Sequence, residues 1–270
     1  PSDEKERELE ARFSMLETLA DHDDELMEQL LSEIEPPLGA VFDDLSADLR
    51  AGRVTPVLIG TAEKANGVLR LLKAIRHDAP DVTVTSARLG VKDGTAAVAQ
   101  VMKTIHTPHG GKLSVARVLS GELADAAELF RSDGSSAKVS GLYRMLGKDQ
   151  TKVASAKAGE TVALGKLDDV VTGETLTSTR GGMPALVTFE KPQPVYSIAL
   201  RPKERKDEVK LSAAMQRMAE EDPSLTFRHD QESAETVLSG HGEMHLRVIV
   251  ERLEGRNQIP IDSHPPAVPY

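Results

Sequence analysis

The spacing of apolar residues follows three patterns along the chain, and each predicts a different kind of structure. From Ser2 to about Leu31, Leu9, Phe13, Leu16, Leu19, Leu26, Met27, Leu30 and Leu31 recur at helical steps, which predicts helix with those side chains on buried faces. His22-Asp23-Asp24 breaks the run, and Asp23 or Asp24 can cap a second helix. Pro36-Pro37 ends that helix, and Leu38–Ala51 predicts a third. Val54–Ile59 (VTPVLI) then reads as an apolar strand. It turns through Gly60-Thr61-Ala62-Glu63-Lys64 into a helix over Gly67–Ala79 that would bury Val68, Leu71, Leu72 and Ile75. Asp78-Ala79-Pro80-Asp81 is a linker signal.

From Val82 the texture becomes that of short strands separated by glycine turns. Ala97–Ile105, Lys112–Ser120, Leu129–Arg131, Ala137–Arg144 and Val162–Leu167 read as strands, ending near Leu176, with a loop through Ala124–Glu128. Strands at this spacing without long helices predict a small closed β-barrel. Ser178–Glu190 connects it to a last region with a third rhythm. Val195–Leu200 is a strand ended by Pro202, and Asp207–Glu220 a helix on Val209, Leu211, Ala214, Met215 and Met218. Leu225–Arg228 and Thr236–Ser239 are paired short strands. Gly240 and Gly242 precede a helix on Met244, Leu246, Ile249, Val250 and Leu253, and Ile259–Asp262 supplies one more strand. The order β-α-β-β-α-β is the split βαβ, or ferredoxin-like, arrangement.

Composition narrows the class. The 270 residues allow one to three domains, and 39% hydrophobic content with no Trp means cores built from Leu, Val, Ala and Met. No apolar run approaches a membrane span. The absence of cysteine excludes disulfides, thiol catalysis and cysteine-based zinc sites. Pro1 is not a residue at which a natural chain starts, so a cytoplasmic piece of a larger protein is expected. The net charge of -10 is uneven: residues 1–50 hold 16 carboxylates against 4 Lys and Arg, and the remainder 27 against 29. The acidic run is expected to be a solvated helix face rather than a docking surface, and the balanced remainder leaves an RNA partner open because phosphate attraction is local.

Candidate chemistry is sparse. His241, Glu243 and His245 suggest a metal, but the Glu is not in the His-Glu-x-x-His position and no third ligand is evident; Glu243 against the helix dipole and a hydrogen-bonded His245 are the plainer reading. Lys203, Arg205, Lys206 and Lys210 cluster beside Asp207 and Glu208, as a solvated face or an RNA phosphate contact, with no aromatic platform among them. A phosphate loop GxxxxGK[ST] is missing: the nearest string, Gly159–Leu167, has one residue too many between its glycines and Leu where the hydroxyl belongs. No DxxG and no NKxD occurs either. Neither catalytic nor metal-ligating residues are therefore assigned.

The stretch EEDPSLTFRHDQESAETVLSGHGEMHLRVIVERL (Glu220–Leu253) resembles the third domain of bacterial elongation factor G. The family carries EEDP, paired strands ending in SGMGELHL and an apolar helix; here His241 stands for the usual Met and Met244 for the usual Leu. His106–Gly121 is similar to the DPFVGKLSFVRVYSG-like stretch of domain II, keeping Pro108, Gly111-Lys112-Leu113-Ser114, Arg117-Val118 and Ser120-Gly121, with departures at His106-Thr107 and His109-Gly110. Gly60-Thr61-Ala62 resembles the family's GSA motif. Backbone N–H groups at such a turn can meet a purine carbonyl oxygen, so the resemblance implies a guanine-recognition loop at Thr61, Ala62 and Glu63; an ordinary βα turn is the alternative.

The resemblance implies a multidomain fold of α/β, β and α+β parts. Residues 1–80 would be the C-terminal part of a P-loop GTPase-type α/β domain, 81–185 a domain II β-barrel of the translation-protein type, 190–262 a ferredoxin-like domain III, and 263–270 the start of domain IV. The parent would bind the ribosome through small-subunit rRNA and ribosomal protein, and hydrolyse GTP with Mg to drive translocation or a related ribosomal step. This piece would serve as coupling and docking domains, hold no cofactor and hydrolyse nothing by itself. Neither a membrane nor DNA is expected as a partner. A ribosome-protection or recycling paralogue, and a ribosome- or RNA-binding module without GTPase activity, are the alternatives; a metal-dependent hydrolase on His241 and His245 is a distant third.

Overall fold

The computed structural model describes residues 2–92, 94, 96–107, 111–187, 190–230 and 235–267. Pro108, His109 and Gly110 of the barrel motif, residues 231–234 between the paired strands, two residues of the 178–190 connection and the last three of the tail lie outside the described residues. The chain divides into two compact units, Pro1–Asp81 and Val82–Tyr270.

In the first unit three helices, α1 (Ser2–Ala20), α2 (Asp24–Leu31) and α3 (Leu38–Ala51), enclose a small core of Leu16, Leu19, Ala20, Leu26 and Val41. Asp23 caps α2, its Oδ1 accepting from the N–H groups of Glu25 and Leu26 at 2.9 and 3.0 Å. Leu9, Phe13 and Leu31, predicted on buried faces, are exposed.

Two further expectations fail in this unit for one physical reason. Val54–Ile59 forms no strand, and Val57 and Ile59 are 84% and 93% exposed. The helix after it, α4 (Val68–Asp78), buries none of Val68, Leu71, Leu72 and Ile75. A strand exists only through a ladder partner, and an apolar helix face is buried only by something laid against it. Among the described residues of this unit nothing supplies either.

The second unit opens with a helix where the texture suggested strands, α5 (Val82–Arg88). Val82, Leu89 and Val91 pack with Val98, Leu119, Met183 and Leu186, and Ser86 Oγ donates to the Leu119 carbonyl at 2.7 Å. That packing overrides the strand preference of Val-Thr-Val-Thr.

The antiparallel strands β1 (Val98–Thr107), β2 (Gly111–Ser120), β4 (Glu128–Phe130), β5 (Ser136–Lys138), β6 (Leu142–Leu146), β7 (Asp149–Lys152), β9 (Thr161–Gly165) and β10 (Thr175–Thr177) form one eight-stranded sheet. Its order is β5-β4-β10-β1-β2-β9-β6-β7, and β3 (Glu122–Ala124) pairs with β8 (Ser155–Lys157) beside it. β5 is at one edge and β6 next to the other, yet only residues 139–141 join them. A connection that short forces the sheet to curl on itself. Ala116, Val118, Leu129, Leu142, Val162, Leu164 and Leu176 fill the inside. The predicted strand Ala137–Arg144 is two strands divided at Gly141, and β3, β7 and β8 lay in stretches too short and polar to read.

The last region is built as predicted: β11 (Tyr196–Pro202), a 3₁₀ turn Arg205–Asp207, α6 (Glu208–Glu221), β12 (Thr226–Asp230), β13 (Glu235–Gly240), α7 (Glu243–Gly255) and β14 (Ile261–His264). The sheet order β12-β13-β11-β14, antiparallel throughout, is that of the ferredoxin-like fold. Leu211, Met215 and Met218 of α6 meet Leu246, Ile249 and Leu253 of α7 over Leu200 and Leu238.

Leu164, fully buried in the barrel, is a test of that core. Leu164→Ala is expected to cost about 2–5 kcal/mol in the barrel's urea unfolding.

Candidate functional site

The last turn of α6 contains a local electrostatic conflict. Glu220 and Glu221 end the helix and no basic residue stands with them, although the partial negative charge of a helix C-terminus favours cations there. The compensating charge comes from sequence-distant strands and helices. Glu220 Oε2 lies 3.1 Å from Lys112 Nζ and 3.0 Å from His106 Nε2, both on the barrel. Lys112, only 4% exposed at its side chain, also donates to the Asp168 carbonyl at 2.7 Å. Glu221 Oε1 accepts from the His106 backbone N–H at 2.6 Å, and Arg256, just after α7, donates to the His106 carbonyl at 2.5 Å. Arg256 also lies 3.9 Å from Glu221. Beside this cluster a cleft of about 620 Å³ opens between the barrel and α6, lined by His106, Thr107, Lys112, Asp168, Gln216 and Arg217 among others.

Asp222 continues the motif with a different task. Its Oδ1 accepts from the Ser224 N–H at 3.0 Å and the Ser224 hydroxyl at 2.5 Å, while Pro223 cannot continue the helix. Its Oδ2 faces His245 Nε2 at 3.1 Å. Since the His241 N–H donates to His245 Nδ1 at 3.2 Å, the imidazole proton sits on Nε2 and points at Asp222. Gly240 makes room for this: a Cβ there would lie 2.8 Å from both His245 Nδ1 and Leu246 Cδ2. Thus His245 is a hydrogen-bonded connector between the turn before α7 and the end of α6. His241 stacks on it with ring centroids 5.6 Å apart. Among the described residues no three His, Asp or Glu converge as metal ligands.

Burial pushes both carboxyls up, yet each stays below the ordinary carboxylate range. For Glu220 the hydrogen bonds and charges of Lys112 and His106 outweigh burial. For Asp222 the two Ser224 bonds and His245 do so.

The loop carrying Thr61, Ala62 and Glu63 is closed by its own backbone. Thr61 N–H donates to the Asn66 carbonyl at 3.0 Å and Ala65 N–H to the Ala62 carbonyl at 3.2 Å. Its two ends nearly touch, since a Cβ on Gly67, at φ 79°, would lie 2.7 Å from the Ile59 carbonyl oxygen. Among the described residues, the N–H groups of Ala62, Glu63 and Lys64 take no part in these closing bonds, and the whole loop is exposed.

Of the basic cluster, Lys203 pairs with Asp262 at 3.6 Å, Lys210 with Asp207 at 2.9 Å and Lys206 with Glu204. Those pairings occupy the charge locally, as a solvated face would. The cluster that sequence reasoning missed is His106, Lys112, Glu220, Glu221 and Arg256. Its one sequence signal was the pair of carboxylates in a last helical turn that holds no basic residue.

Residues 96–179 match the family model described as Elongation factor G domain 2, and residues 191–264 that of Elongation Factor G, domain III. The chain is 44% identical over 265 residues to an "Elongation factor G-like protein" of Synechocystis sp., which covers 97% of this chain and 38% of that protein. It is 31% identical over 283 residues to an "Elongation factor G" of Dehalococcoides mccartyi, covering 100% of this chain and 41% of that one. A crystal structure of a protein from Thermus thermophilus superposes with a TM-score of 0.83 at 31% identity, over all of this chain and 40% of the other. The chain thus spans about two fifths of the length of the curated relatives it matches.

Because both folded-state pKa values are depressed, the Glu220 and Asp222 contacts stabilise in full above the ordinary carboxylate values near 4, and that stability is lost as pH falls through the lower folded values. Urea midpoints followed from pH 6 to pH 2 are expected to decline for the native chain. Asp222→Asn removes part of that decline.

Proposed function

We propose a function from one premise: this chain belongs to the elongation factor G family, whose domain 2 and domain III it carries at residues 96–179 and 191–264. The parent protein binds the ribosome, through small-subunit rRNA and ribosomal protein, and hydrolyses GTP to drive a translational step. Residues 1–80 form the end of its nucleotide domain, 81–185 its domain II, 190–262 its domain III and 263–270 the start of domain IV.

The observation that carries this reading lies in the first unit. Val57, Ile59 and the apolar side of α4 are left in solvent on either side of a closed loop. Extended apolar backbone followed by a tight turn and an uncovered amphipathic helix is the edge unit of an α/β sheet, whose neighbouring strand and helix must come from elsewhere. In that setting the loop sits at the carboxyl end of a strand, where nucleotides bind in such sheets. The N–H groups of Ala62, Glu63 and Lys64 suit the carbonyl oxygen of guanine. The fit extends to the base alone: this chain contains no phosphate loop, so the phosphates and Mg²⁺ are held by other residues of the parent.

The higher identity to a relative named elongation factor G-like than to one named elongation factor G favours a divergent member of the class, for which a recycling or protection step is the second reading.

The test is GTP hydrolysis by the intact parent with and without ribosomes, using the present chain as control. Ribosome-stimulated hydrolysis by the parent and none by the chain is expected. A parent that fails to hydrolyse GTP leaves a ribosome- or RNA-binding relative without a switch, and hydrolysis by the chain alone overturns the domain map. In the parent, Ala62→Pro, which deletes one N–H donor, is expected to weaken GDP binding roughly five- to tenfold, as loss of about 1 kcal/mol implies.

A further inference from the structure

The barrel and the ferredoxin-like domain meet in an unusual way for parts of one compact unit. Each has its own apolar core, and among the described residues neither buried cluster includes a residue of the other. The bonds that cross between them are ionic and hydrogen-bonded, beside an open cleft lined by Ala213, Gln216 and Thr107 among others. A junction whose two sides share no apolar core separates at lower hydrophobic cost than one that does. What fixes its geometry must then be the polar contacts themselves.

Those contacts converge on one barrel residue. His106 is held at its backbone N–H by Glu221, at its backbone carbonyl by Arg256 and at its imidazole by Glu220. Lys112 on the neighbouring strand grips the same Glu220 oxygen from the other side. His106 and Lys112 face each other across the β1–β2 ladder, so the imidazole and the ammonium are presented by one pair of strands. On the other side, α6 and α7 share one core, so Glu220, Glu221 and Arg256 also move together. Each side is rigid, and the bonds between them are few, directional and charge-assisted.

We infer that the Glu220-Glu221 pair, with His106, Lys112 and Arg256, is a releasable latch that locks the ferredoxin-like domain in one orientation on the barrel. The latch is an on-off element by construction. Moving α6 by a few ångströms breaks the bonds to His106 and Lys112 together, and the freed carboxylates and cations are then hydrated rather than stranded. When closed, it makes a displacement of either domain a displacement of both. It is a property of this chain and stands whether or not the parent acts on the ribosome.

The chain has no cysteine, so paired spin labels at Asp149→Cys on β7 and Glu251→Cys on α7 report the separation of the two domains cleanly by pulsed electron resonance. A single narrow distance peak is expected at low salt. In Glu220→Gln/Glu221→Gln that peak is lost to a broad distribution while circular dichroism is unchanged. Salt at 1 M, where screening falls to about 3 Å, broadens it in the unmutated background. Arg256→Gln, which leaves α6 untouched, broadens it as well and decides the matter if the double variant does not fold. Narrow peaks retained in the folded double variant, or in both Arg256→Gln and high salt, overturn the latch. So does a broad distribution in the unmutated background.

Discussion

A helix that ends in two carboxylates must find positive charge, and α6 finds it on other elements. That constraint organises the second unit. It draws Lys112 from barrel strand β2, His106 from β1 and Arg256 from beyond α7 to one point, although 108 residues of sequence separate Lys112 from Glu220. Within the same four-residue motif, Asp222 and Pro223 stop the helix, and Asp222 ties it to His245 at the start of α7. One short stretch therefore terminates a helix, joins the two helices of its own domain and fastens that domain to its neighbour.

The two cores explain why the polar contacts can carry this load. Leu142, Leu164 and Leu176 inside the barrel, and Leu246 and Leu253 under the ferredoxin-like sheet, are fully buried in separate apolar clusters that share no residue. Each domain is thereby a rigid body, and the relation between them is left to a handful of hydrogen bonds. Such an arrangement suits parts that must keep their shape while changing their relative position, as coupling domains of a translational GTPase would.

The first unit shows the opposite situation. Its apolar pattern is that of a buried strand and helix, but Val57, Ile59, Leu71 and Leu72 stand in solvent. Hydrophobic periodicity states what a segment is prepared to bury; it does not supply the surface that covers it. The loop at Thr61, Ala62 and Glu63 keeps its shape regardless, because the Thr61–Asn66 bond and the close approach at Gly67 are local.

Sequence alone determined whatever depends on near neighbours: a cap for α2 at Asp23 or Asp24, the helices over Leu38–Ala51 and after Gly242, and the βαββαβ order. The family resemblance was legible in the same way, through turns and helix starts in the Glu220–Leu253 stretch. Tertiary structure decided the rest. It made a helix of the β-branched Val82–Arg88 by laying it on the barrel, left Val54–Ile59 without a ladder, and curled eight strands through the short link at 139–141. It also converted an acidic helix end into a junction with His106 and Lys112. No spacing rule could place those residues together, because a charge pair across domains is fixed by how two finished cores meet and not by anything either strand or helix encodes alone.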